Sequence, residues 1–343
     1  MRQHEITRSR PLLDSRGNIA EPGFAKSLLP VYRRADVQAP AYRIKEWDYY
    51  LINNGRCAVA LTVADNGYMG MDSISFLDFE NHWQQTLSPM CAFPMGRRKM
   101  PESSGTGDVA VSGKGYELAF RHTGEGRLLI FKMENFAGGR PIEGRILLTD
   151  EPPESMVICT PFRKRGHFYF NQKINCMRAS GWVSVRGRRF EFEPETAFAV
   201  LDWGRGVWTY HNTWYWGSAS GAVDGVPFGW NIGYGFGDNS VATENMLFYE
   251  GKAHKLSRVT FNIPRRGGEF DYMSPWTFSS DDSRFEMDFR PVLDRAACTD
   301  FKLLKSDQHQ VFGRFTGECV LDDGTVLPFR DFPGFAEQVE NKW

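Results

Sequence analysis

Between Ala199 and Gly221 the chain reads AVLDWGRGVWTYHNTWYWGSASG. This places one acid (Asp202), one guanidinium (Arg205), one imidazole (His211) and one amide (Asn212) among Trp203, Trp208, Trp214, Tyr215 and Trp216. Large rings exclude water, and a charge held in a dry place shifts its pKa or takes a partner. The mixture suits a pocket in which an acid passes a proton to a bound molecule. The plainer reading is a buried hinge where Asp202 only pairs with Arg205.

Further along, an expected strand Val241–Glu250 puts Ala242, Glu244, Met246 and Phe248 on one face. A carboxylate among such neighbours is a candidate acid, because burial penalises its charged form. Alternatively, Glu244 is a strand-end residue paired with a lysine or arginine. His211 would relay a proton near neutral pH, with Tyr215 as the other relay candidate; a hydrogen-bonded structural histidine is the competing reading. Phe228–Phe236 alternates strictly: Phe228, Trp230, Ile232, Tyr234 and Phe236 oppose Gly229, Asn231, Gly233 and Gly235. The glycine row leaves room for a ligand or a close backbone, and the bulky row suits a core or a cavity wall. Trp230 and Asn231 therefore join Trp203, Arg205, Trp208, Asn212, Trp214 and Trp216 as candidate substrate contacts.

Other chemistries lack their signatures. No pair of histidines has metal-ligand spacing, and Cys57, Cys91, Cys159, Cys176, Cys298 and Cys319 form no CxxC, so no metal is expected. There is no GxSxG, no P-loop and no GxGxxG between a strand and a helix. No cofactor is expected. A net charge of -1 supplies no field for nucleic acid or an anionic membrane. No window approaches a membrane span and no signal peptide opens the chain, so a cytoplasmic protein with reduced thiols is expected. The expected partner is a small-molecule substrate or ligand.

Which elements would position these residues? The 34 glycines and an aromatic share of 14% read as many short strands joined by tight turns. Residues 1–46, punctuated by Pro11, Pro22, Pro30 and Pro40, read as an extended arm with turns at Ser15–Asn18 and Glu21–Gly23. Strands follow from Trp47, with Asn-Gly turns at Asn54-Gly55 and Asn66-Gly67. Gln84–Gly115 reads as loop, and its Arg97-Arg98-Lys99 run as solvated surface in preference to a contact for an anion. The expected strands run on to Phe301–Leu304, Val311–Val320 and Thr325–Arg330, and no long segment has a helical period.

Three local matches relate the halves in the same order. Ala64-Asp65-Asn66 lines up with Gly237-Asp238-Asn239, Tyr116–Arg121 with Phe285–Arg290, and the hairpin framed by Gly181 and Gly187 with that framed by Gly317 and Gly324. Many antiparallel strands must cover their edges, and closing each repeat into a barrel does so. The expected architecture is all-β: an N-terminal arm, a first barrel over 47–200 and a related barrel over 201–343.

Leu12–Gly17, Glu21–Phe24, Lys45–Tyr49 and Leu201–Trp208 together resemble a bacterial family known as domain of unknown function 2804. More distantly, Asp202-Trp203-Gly204 followed by Trp214-Tyr215-Trp216 is similar to patterns of tocopherol cyclases and carotenoid hydratases. In the hydratase pattern the acid lies farther from its Trp than Asp202 does from Trp203. This second resemblance implies two calycin or lipocalin-like barrels with a pocket near their junction. It also implies cofactor-free acid catalysis of hydration, cyclisation or cycloaddition on an apolar substrate.

Three functions follow as expectations. The first is a cofactor-independent lyase, hydratase or isomerase acting on a small apolar or amphipathic substrate. In it Asp202 or Glu244 donates the proton and the tryptophans face developing positive charge. The second is a carrier of a lipid-like ligand. The third is a carbohydrate enzyme with paired carboxylates about 5–10 Å apart.

Overall fold

The computed structural model describes residues 3–301 and 304–342, and among these no α-helix occurs; only two short 3-10 turns interrupt the strands. Lys302 and Leu303, inside the expected strand Phe301–Leu304, lie outside the described residues. Two curled antiparallel sheets form the body. In order across the first, the central strands are Met69–Asp78, Cys57–Asp65, Ile44–Asn53, Phe198–Val207, Phe168–Val185, Arg140–Thr149 and Gly126–Ala137. The second orders Met246–Tyr249, Val226–Tyr234, His211–Val223, Val326–Lys342, Leu304–Val320, Phe285–Phe301 and Trp276–Ser280. Each sheet thus pairs its first long strand with its last: Ile44–Asn53 with Phe198–Val207, and His211–Val223 with Val326–Lys342.

That shared order is the duplication in structural form, and two of the three sequence matches fit it. Gly181 pairs with Ile146 on one side and Phe192 on the other, as Gly317 does with Met287 and Phe329. A Cβ at either glycine would strike a neighbouring carbonyl, Arg145 O or Glu286 O, which is why both are glycine. Asp65 ends, and Asp238 follows, equivalent strands, and each caps the next turn through its side chain, accepting from Gly67 N at 3.0 Å and Ser240 N at 3.0 Å. The third match is corrected. Tyr116–Thr123 lies two strands farther from the central pair than Phe285–Phe301 does, and Arg140–Thr149 holds the equivalent place.

Each sheet wraps its own core. Tyr50, Ile52, Leu129, Phe131, Phe170 and Trp203 belong to the first, and Phe228, Trp230, Trp276, Phe289 and Phe315 to the second. The arm adds to the first core through Leu12, Leu13, Ile19 and Tyr32, and its strand Gly23–Ala25 extends the sheet beside Met156–Pro161. The segment expected as loop carries the strands Trp83–Leu87, Met90–Ala92 and Val109–Gly113, whose short lengths and flanking prolines hid their alternation.

The outer faces of the two sheets meet. Tyr49, Leu51, Ala60 and Val200 from the first pack with Trp216, Phe312 and Phe335 from the second. Period-two alternation assigns these faces: along Ile44–Asn53, Tyr50 and Ile52 enter the first core while Trp47, Tyr49 and Leu51 face the junction.

Candidate active site

Where this junction opens, it encloses a cavity of about 870 Å³. Both sheets line it: Trp47, Tyr49 and Asp202 from the first, Trp214, Trp216 and Glu337 from the second. One wall is aromatic. Phe236 lies edge-on to Tyr169, Trp208 and Trp214 at 4.8, 4.9 and 5.2 Å between ring centroids, and Trp47 meets Trp208 at 5.2 Å.

Asp202 is the first of three acids in this wall and is almost wholly buried, at 7% exposure. Its direct cross-strand neighbour is Lys173, whose Nζ lies 2.6 Å from Oδ2. Oδ1 accepts from Asn171 Nδ2 at 2.6 Å and Trp47 Nε1 at 3.1 Å. Two strands therefore supply a partner to each oxygen of the carboxylate, the condition under which a charge tolerates burial. Gly204 makes the Trp47 contact feasible, because a Cβ there would overlap the indole ring.

Glu244 is the second acid. It precedes the strand Met246–Tyr249 instead of lying within the longer strand expected, and it lies over the glycine row, with Gly233 leaving the space its carboxyl occupies. Asn231 Nδ2 donates to Glu244 O at 2.8 Å and more loosely to Oε2 at 3.4 Å, while Asn231 Oδ1 accepts from Trp216 Nε1 at 2.7 Å. Burial raises the Glu244 pKa above the ordinary carboxylate value, opposed by the Lys173 charge. No ion pair to a lysine or arginine forms at Glu244 within 4.0 Å among the described residues.

The third acid, Glu337, escaped the sequence reading. It pairs in register with Trp216 and takes hydrogen bonds from Trp214 Nε1 at 3.1 Å and Gln310 Nε2 at 2.9 Å. Burial pushes its pKa up to about 7, against the lowering effects of the Trp214 hydrogen bond and of Arg295 and Lys173. A group with that pKa is well matched to proton transfer at neutral pH.

The remaining candidates separate by strand face. Trp208, Trp214 and Trp216 line the cavity. Trp203 and Arg205 do not: they alternate with Asp202 and enter the first core. There Trp203 packs edge-on against Phe170 at 5.5 Å, and Arg205 pairs with Asp48 at 3.1 Å. The expected Asp202–Arg205 pair is thereby replaced by Asp202–Lys173 and Arg205–Asp48.

Tyr215 alternates with its tryptophan neighbours and stacks on Tyr234 at 4.5 Å beside the second core. Trp230 is fully buried in that core, and Asn231 stands behind Trp216 instead of in the cavity wall. His211 is on the surface, 3.0 Å from Glu340, and Asn212 closes a local turn with Thr209 at 2.6 Å. The expectation that His211 and Tyr215 stand beside the acids as relays is corrected by this placement. Among the described residues no His, Cys, Asp and Glu group is arranged to hold a metal ion, and no helix is long and apolar enough to cross a membrane.

Together these features define an all-β protein of two curled antiparallel sheets with an acid-lined cavity at their junction. The chain belongs to the family described as Domain of unknown function (DUF2804), which matches residues 3–343. No curated protein matches it. Among solved structures, an AttH protein from Nitrosomonas europaea is similar in fold, with a TM-score of 0.54 and 12% identity over 90% of this chain and 95% of that one. Kievitone hydratase from Nectria haematococca aligns with a TM-score of 0.47 and 10% identity over 97% and 98% of the two chains. CghA aligns at 0.45 and 12% over 96% and 97%.

Proposed function

We propose that the protein is a lyase, hydratase or isomerase that works with its own carboxyl groups on a small apolar or amphipathic substrate in the junction cavity. The observation that carries this reading is the convergence of Asp202, Glu244 and Glu337 on one tryptophan-walled space. Two of the three are pushed toward the protonated form by burial, whereas Asp202 is paired with a lysine. Acids in unlike environments divide the roles of proton donor and acceptor between them.

In this reading the proton leaves Glu337 or Glu244 for an unsaturated carbon, and the positive charge that forms faces the rings of Trp214 and Trp208. Loss of a neighbouring proton to a carboxylate completes an isomerisation. Capture of water, with its proton passing to the same carboxylate, completes a hydration. His211 and Tyr215 have no part in this scheme.

Native mass spectrometry of freshly purified protein tests the proposal. The expected result is a retained pair of small molecules that differ by one water, or a pair of isomers of one mass resolved by chromatography of the released ligand. Asp202→Asn, Glu244→Gln and Glu337→Gln would retain only one member of the pair. A single ligand, identical in the wild type and all three variants, would instead establish a carrier.

A further inference from the structure

Three cations line the cavity, and two of them are matched on the protein. Lys173 has Asp202 at 2.6 Å and Lys305 has Glu340 at 3.1 Å. The third, Arg295, is half-buried, and among the described residues no carboxylate oxygen lies within 4.0 Å of it. Its Nη1 donates to Ser75 Oγ at 2.9 Å, and Ser75 Oγ in turn accepts from Thr86 Oγ1 at 2.8 Å. The guanidinium is thus anchored by a neutral group, with further N–H donors left over. A partly desolvated guanidinium without a counter-ion is a ready receptor for a planar anion, which it grips through two parallel bonds.

The sheet places this receptor in line with the chemistry. Arg295 pairs with Gln310, Gln310 with Glu337, and Glu337 with Trp216, forming one row across four adjacent strands. Strand spacing sets Arg295 two steps from Glu337, roughly 10 Å along the sheet. Burial raises the pKa of both Glu337 and Tyr49, and the positive charge of Arg295 reaches each of them and opposes that rise. Beyond Glu337 the row passes to Trp216 and Gly233, and Trp214, which donates to Glu337 at 3.1 Å, leads from it onto the aromatic wall.

We propose that Arg295 receives the carboxylate of an amphipathic substrate whose apolar body runs past Glu337 onto the wall formed by Trp214, Trp208 and Phe236. The assignment rests on the junction cavity being the substrate site and adds the class of molecule it takes: an apolar carboxylic acid.

The test uses the full chain at about pH 8 with two probes, 1-pyrenebutyrate and its methyl ester, read by quenching of tryptophan emission. The wild type is expected to bind the carboxylate at least roughly tenfold more tightly than the ester. In Arg295→Met the two affinities converge while that for the ester is unchanged. Should the Met variant not fold, Arg295→Gln, which retains a donor for Ser75, serves the same comparison. Equal affinities in the wild type, or a preference that survives in the variants, overturn the role of Arg295 and leave the cavity reading standing. Failure of both probes to bind overturns the cavity reading and this assignment with it.

Discussion

Lys173 Nζ stands 2.6 Å from Asp202 Oδ2 and 3.8 Å from the centroid of the Trp216 ring, joining an acid of the first sheet to an indole of the second. Both charges are nearly buried, with side-chain exposures of 3% and 10%. Removing one partner of a buried pair leaves the other uncompensated, at about 3–5 kcal/mol, whereas removing both is far cheaper. Lys173→Met is expected to lower stability by about that amount in urea denaturation, and adding Asp202→Asn is expected to restore most of it. Equal losses in the single and double variants would mean that the pair does not act as a unit.

Glu337 makes the protein sensitive to pH in a defined direction. Its folded pKa of about 7 lies above the ordinary value of 4.5. Below about pH 4.5 it is protonated folded or unfolded and costs nothing. As pH rises from there to 7 the unfolded chain ionises first, so the folded state loses ground, and above about pH 7 the loss is complete. Glu337→Gln removes this dependence. The variant is therefore expected to gain on the wild type between pH 4.5 and 8 by up to about 3 kcal/mol in parallel denaturant titrations. A constant difference across that range would contradict the assignment.

Gly204 is needed for contact rather than for conformation, since its backbone is extended within Phe198–Val207 and a Cβ would enter the Trp47 indole. Gly204→Ala should push Trp47 off Asp202 Oδ1 and cost roughly 1–3 kcal/mol, typical of overpacking. Affinity for 1-pyrenebutyrate should fall as well, because Trp47 also forms part of the cavity wall. Unchanged stability and binding would show that the ring has other room.

His211 and Tyr215 supply the contrast. The His211–Glu340 pair is exposed, 52% on the histidine side, so His211→Ala is expected to cost less than about 1 kcal/mol. Neither His211→Ala nor Tyr215→Phe is expected to alter the ligand retained in native mass spectra. A change in that ligand in either variant would mean that proton relay reaches beyond the cavity wall.

Much of this organisation is legible in the sequence, and what is not has a common cause. The strand-rich class, the repeat and the concentration of tryptophan around Asp202 follow from turn chemistry and local pattern. Period-two alternation also contains the assignment of faces: Asp202 opposes Trp203 and Arg205, and Trp214 and Trp216 oppose Tyr215. Residues adjacent in sequence between Asp202 and Trp216 do not form one site, because neighbours on a strand point apart. Asn171 and Lys173 carried a readable signal, two polar side chains on one face between Phe170 and Ile174. Glu337 and Arg295 carried none, because the row that joins them to Trp216 exists only through the pairing of Val326–Lys342 with the distant strand His211–Val223.

Each sheet has its own hydrophobic core, and the cavity lies between the two, lined by both. Exchanging residues on the facing outer surfaces can therefore enlarge, shrink or recharge the chamber while leaving both hydrophobic centres untouched. An architecture of this kind sets the chemistry of the chamber apart from both cores, so that only its own buried charges, Lys173 and Asp202 among them, bear on folding.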